Sequence, residues 1–104
     1  MYILTVHYPK SEGATFDFDY FRSTHVPAIG KAFGSFGLGY GSVLRGEQSL
    51  DGGEPAFFAT MILSFPTEQN ARDAVASDAG KSVLADAATF TSVTPLMQFD
   101  SAVE

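Results

Sequence analysis

The segment "YGSVLRGEQSLDGGEPAFFATMILSF", Tyr40 to Phe65, decides the fold. From Ala56 onward it is an almost unbroken apolar run of strand length, rich in the aromatic and branched side chains that suit a pleated surface. Its first part sets Tyr40, Val43 and Leu44 among glycines and predicts a strand over about Leu38 to Arg45. Between them, Asp51-Gly52-Gly53 supplies residue types that accept the positive φ of a tight reversal. The segment reads as a β-hairpin in the middle of a chain of 104 residues, the length of one domain.

Each flank of the hairpin adds one helix and one strand. On the N-terminal side, "FDFDYFRSTHVPAIG", Phe16 to Gly30, reads as a helix that Thr15 or Asp17 can cap. Pro27 is expected to break or kink it just after His25, because it lacks the N–H that would bond Ser23 and crowds Val26. Before it, "MYILTVHYP" alternates Tyr2, Leu4, Val6 and Tyr8 against Ile3, Thr5 and His7, a strand closed by Pro9. On the C-terminal side, "PTEQNARDAVAS" suits a short helix and "DAGKSVLADA" a turn with another helical piece. "TFTSVTPLMQFD" closes as a strand that Pro95 makes an edge or irregular one. The order β-α-β-β-α-β is the ferredoxin-like α+β arrangement, a four-stranded antiparallel sheet with two helices on one face.

That arrangement leaves one sheet face bare. The third strand is expected to place Phe58 and Ile62 on one face and Phe57, Met61, Leu63 and Phe65 on the other, apolar both ways. A second copy of the chain, packed sheet against sheet, is the simplest cover, so a homodimer is expected.

Composition removes several functions. A formal net charge of −6 opposes phosphate backbones, so no nucleic-acid partner is expected. The chain has no cysteine and hence neither disulfide nor thiol nucleophile. With only two histidines, and no acidic cluster at ligand spacing, no metal site is expected. The N-terminal strand shows no basic leader or long apolar run, so the expectation is a cytoplasmic protein without membrane contact. "GSFGLGYG" precedes a strand and departs from GxGxxG, so it is not a dinucleotide fingerprint.

On a helical wheel Phe18, Phe21, His25 and Ile29 share one stripe, which turns His25 inward. Two readings are open. In an apolar cavity His25 titrates near neutrality and can move a proton on a ligand. In a core, its nitrogens are satisfied by neighbours and it does no chemistry. Tyr2, Phe21 and Tyr40 are the candidate ligand-binding side chains, Phe21 as an apolar wall and the tyrosines through hydroxyls that orient a ligand. Arg22 has two readings as well, a carboxylate contact or an exposed ion pair.

The stretch "VHYPKSEGATFDFDYFRSTHVP", the closing "LADAATFTSVTPL" and the element order resemble the ethyl tert-butyl ether degradation (EthD) family of dimeric α+β barrels. The most specific part is Tyr-Pro at the end of the first strand, then Phe-Asp-x-x-Tyr and His-x-Pro. The resemblance implies two sheets closing a barrel, helices outside, and a cavity between each sheet and its helices. Where many members have two successive tyrosines before the histidine, this chain has Tyr20 and Phe21, so one hydroxyl is missing. Relatives of this shape include lactone isomerases, polyketide cyclases, decarboxylases and cofactor-independent monooxygenases, and fold alone does not choose among them. The expectation is a protein that binds a small apolar or aromatic molecule without a cofactor. It acts either as a lyase- or isomerase-type enzyme using His25 or as a non-catalytic carrier.

Overall fold

The computed structural model describes residues 1–103. Strands β1 (Tyr2–Pro9), β2 (Tyr40–Arg45), β3 (Phe57–Phe65) and β4 (Leu96–Asp100) form one antiparallel sheet in the order β2-β3-β1-β4. The hairpin β2-β3 forms, and β4 is an edge strand as expected, beginning at Leu96 just after Pro95. Helices α1 (Phe18–Tyr20) and α2 (Val26–Gly34) precede the hairpin; α3 (Glu68–Ala76), α4 (Asp78–Ala85) and α5 (Ala87–Phe90) follow it. The expected last strand is shorter than read, because Thr89 and Phe90 belong to α5.

Pro27 neither breaks nor ends the first helical stretch. Helical backbone runs from Phe18 to Gly34, with a π-helical segment, Phe21–His25, between α1 and α2. The Val26 N–H bonds the Phe21 carbonyl across this wider turn. Buried Phe21, His25, Ile29 and Phe33 recur every four residues. Four residues overshoot a 3.6-residue turn by about 40°. A wider turn between Phe21 and His25 takes up the overshoot and keeps all four on the sheet side. Asp17 is the cap, its Oδ1 accepting the Tyr20 N–H at 3.1 Å.

Register assigns the faces. Val6 pairs with Met61, Leu4 with Leu63 and Tyr2 with Phe65, so all six lie on the helix-covered side. Against them pack Phe21, Ile29 and Phe33 from the first helical stretch, Ala71 and Ala74 of α3, Val83 of α4, and Ala87 and Phe90 of α5. The expected faces of β3 need one correction. A β-bulge shifts register between Tyr8 and Pro9, so that Ala59 faces Tyr8 and Phe57 faces Pro9. Phe57 therefore contacts His7 on the open face, and Phe58 stacks on Phe16 beneath the helices. The open face carries Ile3, Thr5 and His7 of β1, Thr60 and Ile62 of β3, Tyr40 and Leu44 of β2, and Leu96 of β4. Tyr40, Leu44 and Leu96 are exposed there. No helix among the described residues is long and apolar enough to cross a membrane.

Candidate functional site

The π-helical segment presents His25 to a site built by residues far along the chain. The loop before α1 is stitched to the end of α5: the Asp17 N–H bonds the Phe90 carbonyl at 2.7 Å, and Thr91 Oγ1 donates to the Thr15 carbonyl at 2.7 Å. That seam brings Phe90 and Asp86 against the first helical stretch. Phe90 lies 4.6 Å from the His25 ring between centroids, and Phe21 stacks on it at 5.8 Å. Tyr8 turns its ring edge-on to both phenylalanines.

His25 is 1 % exposed. Its Nδ1 lies 3.2 Å from Asp86 Oδ2. The same carboxylate accepts from Tyr20 Oη at 3.3 Å and from Thr89 Oγ1 at 3.0 Å. Burial alone would raise the Asp86 carboxyl. The hydrogen bonds from His25, Thr89 and Tyr20 and the attraction of the His25 charge leave it below its usual value. Asp86 is thus ionised at neutral pH and can only accept, so Nδ1 of His25 carries the proton. Burial also lowers the His25 pKa, a shift that Asp86 opposes without cancelling, so the imidazole is neutral. A neutral imidazole protonated on Nδ1 has a free lone pair on Nε2. That atom is buried with no hydrogen-bond partner among the described residues. Leaving such an acceptor unpaired costs about 1–3 kcal/mol. Burial and the Asp86 charge likewise push the Tyr8 hydroxyl well above its ordinary range, so it stays protonated.

Beside this cluster runs a groove of about 330 Å³ between the first helical stretch and β2, walled by Phe18, Phe21, Val26 and Val43. Phe21 is common to both: one face of its surroundings is the groove, the other is His25. The sequence thus placed two members of the site, His25 and Phe21, side by side. The two ligand-binding tyrosines it suggested lie elsewhere. Tyr2 is six residues along β1 from Tyr8, about 20 Å away at 3.3 Å per residue, and its hydroxyl accepts from Arg72 at 3.2 Å. Tyr40 is 63 % exposed on the open face, where its hydroxyl accepts from Ser42 at 2.8 Å. Of the strand tyrosines, Tyr8 is the one that reaches the cluster. Asp86 was not found by sequence reasoning. It lies 61 residues from His25, and its single cue is a place beside the Val83, Ala87, Phe90 stripe, where an acid commonly meets solvent.

Fold and cluster together define a ferredoxin-like α+β protein with a buried, carboxylate-held histidine between sheet and helices. No family model and no curated protein matches the chain. Solved structures do. An EthD-like protein from Ralstonia eutropha JMP134 is 30% identical, with 99% of this chain and 92% of that one covered and a TM-score of 0.85. An ethyl tert-butyl ether degradation (EthD) family protein from Bacillus halodurans C-125 is 24% identical over 99% of each chain, TM-score 0.80. A dimeric ferredoxin-like protein of unknown function from Jannaschia sp. CCS1 shares the fold at 10% identity, covering 97% of each chain with a TM-score of 0.67. The chain belongs to the EthD-like family.

Proposed function

We propose that the protein is a homodimer that binds a small, largely apolar or aromatic molecule between sheet and helices, and that His25 moves a proton on that molecule. The observation that carries the reading is the state of His25. One ring nitrogen is held by a carboxylate and the other is a buried base with nothing to accept from. A core histidine kept only for packing gains nothing from that orphan, whereas a ligand O–H or activated C–H fills it. Asp86 fixes the tautomer and ring orientation and is a positioning residue. Phe21 stands between the groove and His25, so proton transfer to a ligand in the groove requires its ring to move. Binding without turnover is the second reading, favoured by the groove ending at Phe21 short of His25. The dimer is supported by the apolar side chains on the open sheet face and by the dimeric neighbour of the same fold.

The test compares His25→Ala with His25→Gln. Alanine removes a fully packed ring and one of the hydrogen bonds to Asp86, and is expected to cost about 2–4 kcal/mol, most of it from the void. Glutamine still donates to Asp86 but offers no titrating base; its stability should stay within about 1.5 kcal/mol of the parent. Calorimetric titration with aromatic lactones and apolar ethers is expected to show binding that His25→Gln weakens tenfold or more, the value of one good polar contact. Equal affinity in the parent and His25→Gln would sink the role of Nε2. Ligand consumption by the parent but not by His25→Gln selects the enzyme; tight binding with no product selects the carrier.

A further inference from the structure

The groove beside Phe21 is apolar on its walls and cationic at its mouth. Arg22 and Arg45 both line it, in a chain that has only six basic residues against twelve acidic ones. Arg45 belongs to edge strand β2, and its register opposite Ala59 turns it to the helix side. Its guanidinium lies 3.9 Å from the centre of the Phe18 ring. Stacking of this kind uses the flat face of the guanidinium and leaves the N–H groups in its plane free to donate. Among the described residues Arg45 has no acidic partner. Arg22 is paired only with Asp19, at 3.5 Å and with both side chains exposed, a contact worth little. Asp19 also lines the groove, so its mouth carries a net charge of one positive unit.

We infer that this groove selects a small amphipathic carboxylate, the acid group paired with Arg45 at the mouth and an aromatic or aliphatic body laid along Phe18, Val26 and Val43 against Phe21. The inference rests on the proposed ligand binding and adds the chemical class. Three features agree on it. About 330 Å³ suits a molecule of one ring with a short substituent. The preorganised guanidinium matches a carboxylate with two parallel hydrogen bonds. The net charge of −6 disfavours the same anion over the molecule as a whole, so an apolar groove flanked by two arginines, one of them without an acidic partner among the described residues, stands out against it. Bound this way, the acid end faces solvent and the far end of the body lies at Phe21, on the His25 side.

The test uses 4-propylbenzoate and the uncharged 4-propylbenzamide, matched in shape, titrated into the parent, Arg45→Met, Arg22→Met and Asp19→Asn. Methionine keeps a stem on Phe18 and removes the charge, and Arg22 is exposed enough that its variant folds normally. The acid is expected to bind the parent at least tenfold tighter than the amide, with a preference that salt weakens. Arg45→Met should abolish the preference, Arg22→Met reduce it severalfold, and Asp19→Asn increase it. Equal binding of acid and amide to the parent overturns the carboxylate assignment and leaves the ligand-binding role standing. An acid preference that survives Arg45→Met also overturns it. Failure of both probes to bind the parent overturns the assignment, while the binding role on which it rests stands or falls with the lactone and ether titrations.

Discussion

His25 differs from an ordinary core histidine in what holds it. Its environment favours the neutral ring, so the folded protein resists a proton that the unfolded chain accepts near the ordinary value of 6.5. The sign follows directly. A base whose folded pKa is depressed stabilises the fold above the unfolded pKa, and that stability is lost as pH falls from there toward the folded value. Asp86, also lowered, adds a loss only further down, below the ordinary carboxylate value of 3.8. Urea midpoints measured at about pH 7.5 and 5.5 should therefore drop for the parent and drop less for His25→Gln. Equal drops in the two would remove His25 from the titration. The groups that face the ring, Asp86 through Nδ1 and Tyr8 through the shared aromatic cluster, keep one charge state across that window. At this scale the sequence was readable for orientation and not for partnership. The four-residue spacing of Phe21, His25 and Ile29 shows which way His25 points, because helical periodicity is local. Asp86 and its hydrogen bonds depend on how a seam between residues 15–17 and 90–92 closes, which no local pattern encodes.

Among the elements, hairpin, strands and helix faces follow from periods of two and near four, and these were legible. Two features were not, and each comes from two elements pressing on one another. The π-helical segment replaces the kink that Pro27 alone would predict, because the buried stripe must stay on the sheet across the proline. The bulge at Phe57 and Phe58 reverses their expected faces. The break between α3 and α4 was expected, but how tightly the chain closes there was not. Ser77 caps the second of these, its Oγ accepting the Gly80 N–H at 3.0 Å while donating to the Ala74 carbonyl at 2.7 Å. The close approach requires glycine: a Cβ on Gly80 would stand 2.0 Å from the Ala74 carbonyl oxygen, with backbone unable to yield. Gly80→Ala is expected to cost about 1–3 kcal/mol in denaturant unfolding. By tilting α4 and α5 it should also loosen Asp86 and diminish the pH response of His25. Parent-like stability would show that the junction has slack that the geometry denies.

For the whole molecule the uncovered surface is the open sheet face, and two adjacent residues of β3, Met61 and Ile62, expected on opposite faces and found there, separate the outcomes. Met61 is fully buried under the helices and Ile62 lies half-buried on the open side, one residue away and opposite in direction. A charge at Met61 is an uncompensated ion in the protomer core, so Met61→Asp should unfold the chain, by more than about 3 kcal/mol, with no folded monomer on the way. A charge at Ile62 faces water in a lone protomer and another sheet in a dimer. Ile62→Glu should therefore leave a folded monomer, seen by sedimentation velocity as the smaller species at micromolar concentration. Its thermal midpoint should lose the concentration dependence that association confers on the parent. The contrast depends only on register, since adjacent residues of a strand point to opposite faces. A parent that sediments as a monomer throughout that range would end the dimer proposal. The groove at Phe21 lies on the helix side, so ligand binding by the Ile62→Glu monomer tells whether the site is complete within one chain. Undiminished affinity is expected, because Phe18, Phe21, Val26, Val43, Arg45, His25 and Asp86 all come from the same protomer.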